Sequence, residues 1–334
     1  MGDRAPVCYP LPRAYKLKMP VNSDKPQNWK KDIARSVDLY NDWFIKFAPQ
    51  AYRTARADAT VAVESALKLT RNLTDLSPAI LQQNPSVLPM LRMSTAPPIA
   101  RDRLIGLAGV PAGLVFSMEI SKRLPKKAGG LESNLKKISA TILKLCDRDI
   151  FSWLDSGANP KRAEVHRAAT IVADRLCGSV SDPIIRNAQE KRQLAAIRKW
   201  LESRGYKYAG TGLTFDQLAP ATFSFRMNVP VKLEDGIKQI NIPIDAVIMP
   251  KKSKAGAFPL LIEAKSAGDF TNTNKRRKEE AVKIAQLRRT YGPQVQFILF
   301  LCGYFDSGYL GYEAAEGIDW VWEHRIDDLK KFGL

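Results

Sequence analysis

The sequence is poor in the residues on which several chemistries depend. Only two histidines occur in 334 residues, His166 and His324, too few for a His-rich metal centre and a weak basis for imidazole catalysis. The four cysteines, Cys8, Cys146, Cys177 and Cys302, show no CxxC spacing, which argues against a disulfide framework or a structural zinc site. No apolar run reaches the ~18 residues of a transmembrane helix. Met1-Gly2-Asp3-Arg4-Ala5-Pro6 lacks the apolar core of a signal peptide. A G-x-S-x-G elbow, a P-loop, internal repeats and low-complexity segments are all missing. Acidic side chains are also short, 34 Asp and Glu against 52 Lys and Arg, for a net charge of +18. The expectation is a soluble, intracellular, strongly basic protein with a polyanionic partner.

What is present is enough to fold. Apolar residues make up 45% and charged residues 26%, a composition that supports a packed core. At about 150 residues per domain the length suggests two domains. The charge is not a tail: residues 1–184 carry 28 basic and 17 acidic side chains, and residues 185–334 carry 24 and 17. Basic surface on both parts suits nucleic acid.

The first part reads as helices. Ile33, Val37, Tyr40, Phe44 and Phe47 recur at helical spacing, predicting a helix over 28–47. Further helices are predicted over 51–73, 131–146 and 160–176, separated by Pro- and Gly-containing turns. Near residue 183 the pattern changes. Asp182-Pro183 reads as a helix start, followed by a helix to Arg204 and a stop at Gly205. Strand alternation then begins over 223–231, with Glu234-Asp235-Gly236 as a hairpin turn and a return strand over 240–248. A third strand over 258–265, a helix over 274–291 and a buried strand over 295–302 follow. The expected fold class is α/β. A largely helical region, residues 1–182, would embrace DNA or dimerise, and residues 183–334 would form an αβββαβ core around a central mixed sheet.

One constellation carries chemistry. Alternate strand residues share a face. The isoleucines of the second strand are expected to point one way and Asp245 the other. On the third strand Leu260, Ile262 and Ala264 share a face, leaving Glu263 and Lys265 opposite, about 7 Å apart. Pairing of these strands brings Asp245, Glu263 and Lys265 together in the pattern Asp-x17-Glu-Ala-Lys. Two carboxylates suit Mg²⁺, a hard cation that also binds phosphate oxygens. A lysine beside them can orient water or stabilise charge on phosphorus. Asp245, Glu263 and Lys265 are therefore the catalytic candidates, the first two as metal ligands. Glu190, on the preceding helix, is a candidate additional ligand or a salt-bridged surface glutamate.

After Lys265 comes a stretch of small polar groups ending in Asn272 and Asn274, then Lys275, Arg276, Arg277 and Lys278. These six residues are the candidate DNA contacts, at a helix N-terminus suited to phosphate. Four cations in a first turn oppose the helix dipole, which favours a functional reason. The competing reading is a solvated turn with Lys275–Glu279 and Arg276–Glu280 pairs. Tyr304, Tyr309, Tyr312, Trp320 and Trp322 read as a C-terminal core cluster, with base stacking as the alternative, while 309–334 as a whole does not resolve into elements.

The order αβββαβ with Asp245 and Glu263-Ala264-Lys265 resembles the PD-(D/E)xK nuclease superfamily. Ile262–Glu280, Leu301–Trp320 and Asp182–Glu190 are similar to XamI-type restriction endonucleases; size and charge also suit XcyI-type enzymes. The resemblance covers the C-terminal 150 residues best. Pro243 stands one position further from Asp245 than the superfamily pattern has it. The resemblance implies a type II restriction endonuclease that hydrolyses double-stranded DNA at a short palindromic site with Mg²⁺, leaving 5′-phosphate ends. It also implies a homodimer, a cognate DNA methyltransferase acting on the same site, and a bacterial cytoplasmic location. The alternatives are a structure-specific repair or recombination nuclease and a noncatalytic DNA-binding protein.

Overall fold

The computed structural model describes residues 20–126, 129–233, 238–254, 256–271 and 273–334, without the side chains of 274–276. Cys8 and the turn residues Glu234, Asp235 and Gly236 lie outside the described residues. The helices are α1 (Pro26–Leu69), α2 (Pro78–Gln83), α3 (Leu88–Met93), α4 (Arg101–Ala108), α5 (Ala112–Ile120), α6 (Leu131–Leu145), α7 (Trp153–Ser156), α8 (Arg162–Glu202), α9 (Thr273–Tyr291) and α10 (Ser307–Ala315). The strands are β1 (Lys207–Tyr208), β2 (Thr222–Lys232), β3 (Gln239–Met249), β4 (Leu260–Ala267), β5 (Phe297–Gly303) and β6 (Asp319–Trp322). Among the described residues no helix is long and apolar enough to cross a membrane, and Cys146, Cys177 and Cys302 are buried free thiols.

Two of the expected helix breaks do not occur. Pro49 lies inside α1 and Pro183 inside α8, so each pair of predicted helices is one element. A proline removes one backbone bond and strains the preceding turn. A helix with a well-buried stripe can absorb that cost. Asp182 therefore does not cap a helix start. The α1 helix ends at Leu69 rather than 73, where Arg71, Asn72 and Leu73 turn left-handed in succession.

The described residues form two compact units, one of 20–46 with 186–334 and one of 47–185. In the second unit Val63, Leu81, Leu88, Leu104, Val115, Leu135, Ile138 and Phe151 build an all-helical core. Of the α6 stripe expected at Leu135, Ile138, Ile142 and Leu145, the first three are fully buried and Leu145 is partly buried against the same core. One buried ion pair crosses this unit: Arg92 Nη2 donates to Glu119 Oε2 at 2.9 Å and Nη1 to the Ile99 carbonyl.

The first unit is built on a mixed six-stranded sheet in the order β1-β2-β3-β4-β5-β6. The β2–β3 and β3–β4 pairs are antiparallel; β1–β2, β4–β5 and β5–β6 are parallel. The αβββαβ core is present, extended by β1 and β6 at its edges. The residues that remained unassigned after Tyr309 form α10, β6 and a 3-10 segment over Glu323–Phe332. Apolar side chains cover both faces of the sheet. Leu194, Ile197 and Leu201 of α8 pack with Leu260, Ile262, Ile298 and Phe300 on one face. Ile284 and Leu287 of α9 and Leu310 of α10 pack with Leu261, Leu299 and Leu301 on the other.

Regular alternation fails at one point in the β2–β3 hairpin. Phe223, Ala246 and Ile248 belong to the α8-side core, whereas Met227, Val229, Ile242 and Ile244 belong to the α9-side core. The isoleucines of β3 are therefore not on one face as expected. The switch falls where Arg226 adopts φ +53 and the pairing of 226 with 245 drops out of an otherwise continuous ladder. A left-handed residue in both-sided sheet structure re-aims every side chain beyond it.

At the far end of β4 and β5, Gly303 pairs with Ala267 at φ +100. A Cβ at Gly303 would lie 2.1 Å from the Ala267 carbonyl oxygen. Gly303→Ala is expected to destabilise the protein by about 3 kcal/mol, from backbone strain and overpacking together, read as a lower urea midpoint; a loss below about 1 kcal/mol would contradict this packing.

Candidate active site

The side chains foreseen to meet do meet. Extending the β3–β4 register one step past Ala246↔Ile262 sets Asp245 opposite Glu263. Asp245 Oδ2 accepts a 2.8 Å hydrogen bond from the Ala264 amide, which fixes its carboxylate across the strand boundary. Lys265, two residues along β4, places Nζ 3.2 Å from Glu263 Oε1. Gln193 of α8, itself buried, donates to the carbonyls of Lys265 and Phe300 at 3.2 Å each, pinning the backbones of β4 and β5 behind the site.

The α9 helix supplies two further groups. Glu280 Oε1 lies 2.6 Å from Lys265 Nζ, and Lys283 Nζ lies 2.6 Å from Glu263 Oε1. Glu280 is fully buried. Behind it, Glu313 of α10 is also fully buried; burial, with the charge of Glu280, pushes its carboxyl up to about 8.

Gln193, Glu280, Lys283 and Glu313 are not among the site residues expected from the sequence. A signal for Glu280 was present: it stands four and seven residues before Ile284 and Leu287, on the stripe that α9 buries. A charge at such a position is a candidate for a site rather than a solvated face. The reading of Glu280 as an i,i+4 surface partner is replaced by its pairing with Lys265.

Glu190 has a partner outside this cluster. Its carboxylate pairs with Arg226 Nη2 at 2.7 Å, while its charge still acts on Asp245. Of the candidate DNA contacts, Asn272 lies outside the described residues. Asn274, Lys275 and Arg276 lie in the first turns of α9, and their side chains are outside the described set. The Arg277 guanidinium lies 5.1 Å from the centre of the Tyr312 ring, and Lys278 is exposed. Of the five aromatics read as a core cluster, Tyr309, Trp320 and Trp322 are fully buried, whereas Tyr304 and Tyr312 are half-buried. His324 is tied to Asp32 at 3.3 Å, and burial lowers its pKa.

The charges at the site fit a bound divalent cation. Glu263 Oε2 is buried with no hydrogen-bond partner, an acceptor left without a positive neighbour. Asp245 is pushed up to about 6 by burial and by the charge of Glu263, against the pull of the Ala264 amide. The orphaned oxygen and the second carboxylate beside it are two hard oxygen donors, the kind of environment Mg²⁺ suits. Among the described residues no three Asp, Glu, His or Cys side chains form a ready-made cage, so the protein offers two carboxylates and leaves the other positions to water, backbone and phosphate oxygens. Lys265 is affected oppositely: burial lowers its pKa, but Glu263 and Glu280 outweigh burial and hold the ammonium above its ordinary value.

Asp245 binds its proton more tightly in the folded chain than in the unfolded one. Ionising it therefore costs stability as pH rises from about 4, the unfolded value, through about 6. In EDTA, Asp245→Asn is expected to raise the thermal midpoint at pH 8 and to leave it unchanged at pH 3.5, below roughly the unfolded carboxyl pKa. Equal effects at both pH values would contradict this electrostatic picture.

Comparisons with known proteins place the chain in a family. The family model of XamI restriction endonucleases matches residues 71–322. The type II restriction enzyme SalI of Streptomyces albus G is 52% identical over 318 residues, spanning 94% of this chain and 99% of that enzyme. A solved structure, protein VC1899 from Vibrio cholerae, aligns over 85% of this chain and 55% of its own at 11% identity, with a TM-score of 0.27; a likeness this low carries no argument. With the family match covering most of the chain and 52% identity to a relative along nearly the whole of both chains, the chain belongs to the XamI restriction endonuclease family.

Proposed function

We propose that this restriction endonuclease hydrolyses phosphodiester bonds of double-stranded DNA at a short palindromic site, in a Mg²⁺-dependent reaction that leaves 5′-phosphate ends. The observation that carries the reading is the juxtaposition of Asp245 with Glu263, whose Oε2 is an orphaned buried acceptor, beside the Lys265 ammonium. Asp245 and Glu263 hold the cation. Once bound, Mg²⁺ neutralises charge on the phosphodiester and makes a water more acidic.

The chain's own groups do the rest. Lys265 carries three N–H donors. The ammonium stands in ion-pair contact with Glu263 and Glu280 and can donate to the attacking water or a phosphoryl oxygen. Water oxygen bonds to phosphorus, the P–O3′ bond breaks, and the proton released from water ends on the 3′ oxygen. Lys265 stabilises the charge that builds on phosphorus. Lys275, Arg276, Arg277 and Lys278 engage the DNA backbone, with Asn272 and Asn274 near phosphate, in a chain whose +18 charge favours a duplex. Glu190 serves as an additional ligand or a support for one, in exchange with Arg226. The helical region 1–182 embraces DNA or forms the dimer contact. A palindromic site calls for a two-fold dimer with one site per strand. A methyltransferase of the same specificity protects host DNA, and the enzyme works in the bacterial cytoplasm.

Plasmid cleavage tests the reading. Wild-type protein with Mg²⁺ is expected to give discrete fragments from linear duplex, with 5′-phosphate at the sequenced ends. Asp245→Ala, Glu263→Ala and Lys265→Ala should each lose on the order of 10²-fold or more in rate and still bind the same duplex in Ca²⁺. Full cleavage by Asp245→Ala or Lys265→Ala protein would remove the site assignment. Salt-sensitive binding with no hydrolysis by the wild type would favour a noncatalytic DNA-binding protein, and cleavage set by DNA structure rather than sequence a repair nuclease.

A further inference from the structure

Lys265 is held by two carboxylates with different roles. Glu263 Oε1, 3.2 Å away, also takes Lys283 at 2.6 Å and belongs to the carboxylate assigned to the cation. Glu280 Oε1, at 2.6 Å, is the nearer contact. It comes from α9, on the stripe that also buries Ile284 and Leu287 against the sheet, so its position is fixed by core packing. Neither oxygen of Glu280 has a hydrogen-bond partner and the residue is fully buried, so its contact with Lys265 is an ion pair. A carboxylate kept there at the cost of desolvation gains chiefly from its ion pair. Glu313, its buried acidic neighbour on α10, brings no cation to compete for it.

Without Glu280 the Lys265 ammonium would retain only Glu263, the group the metal requires. The ammonium would then lean on the metal-binding carboxylate instead of standing beside it. We propose that Glu280 is a positioning residue of this nuclease: through its 2.6 Å ion pair it sets the Lys265 ammonium for the reacting phosphate and leaves Glu263 for the cation. It touches neither DNA nor metal and acts only through Lys265. The inference rests on the role proposed above for Lys265.

A double-mutant cycle tests it, with Lys265→Ala, Glu280→Gln and the double variant. The turnover rate is measured at saturating duplex and Mg²⁺, and duplex affinity separately in Ca²⁺. Glu280→Gln is expected to lower kcat by about 10- to 100-fold, the usual range for a group that orients a catalytic one. Its Kd for duplex should stay within about twofold of wild type. In the Lys265→Ala background the same substitution should cost nothing more, because its route to the reaction is already gone. Glu280→Asp, which keeps the charge, should recover part of the rate. Losses that multiply in the double variant, or full kcat in Glu280→Gln, would overturn the inference while leaving Lys265 in place. A fully active Lys265→Ala enzyme would overturn the underlying role instead. If thermal unfolding shows that neither Glu280 variant folds, Glu280 is structural and the inference fails.

Discussion

Glu263 is the point at which the catalytic unit concentrates unlike demands. It is buried on a central strand, faces the carboxylate of Asp245, and has two ammonium groups on one oxygen and none on the other. Buried carboxylates are retained only where cations and hydrogen bonds offset their lost hydration. Here the offset is partial. Three carboxylates, Asp245, Glu263 and Glu280, meet two ammoniums, Lys265 and Lys283. Burial first, and then the charge of Glu263, raise Asp245 toward neutrality. This imbalance is what a packed core would avoid, and it suits the cation-binding role proposed for the site.

The sheet is shaped around that imbalance. The break opposite Asp245 lets one hairpin serve two cores, with Ala246 and Ile248 under α8 and Ile242 and Ile244 under α9. Arg226, the residue that turns, is strained by roughly 1 kcal/mol or more for a non-glycine residue at positive φ. Its guanidinium engages Glu190 on α8, so the strained backbone and the nearest outside carboxylate are tied together next to the site. On the other side α9 serves two ends at once. Its first turns carry the basic cluster, and one turn later the same helix sends Glu280 and Lys283 inward. The proposed DNA contacts and the candidate active-site residues are thus carried by one helix.

Much of this was legible in the sequence. The strands over 223–231, 240–248 and 295–302 were readable because β-branched and aromatic residues alternate or run unbroken, and the Asp-x17-Glu-Ala-Lys spacing brought Asp245, Glu263 and Lys265 together by parity alone. Parity holds throughout β4 and through only part of β3: a switch of face caused by one left-handed Arg226 leaves no mark in a hydrophobic pattern. Pro49 and Pro183 misled for a related reason, since local breaking signals yield where tertiary packing holds a long helix together. Glu280 was hidden by its neighbours. Surrounded by charges, it looks like part of a solvated turn, and only its phase relative to Ile284 and Leu287 shows that it turns inward. The ion pairs that tune the site link residues 15 to 20 positions apart on different elements, a relation that periodicity does not encode.

A divalent cation between Asp245 and Glu263 would resolve the charge imbalance there. Crystals soaked in Mn²⁺ and measured at its absorption edge test this directly. One anomalous peak per chain is expected, at about 2.1 Å from carboxylate oxygens of both Asp245 and Glu263, a distance typical of small hard cations on oxygen. A peak elsewhere in the molecule, with the Asp245–Glu263 position empty and Lys283 still on Glu263, would contradict it.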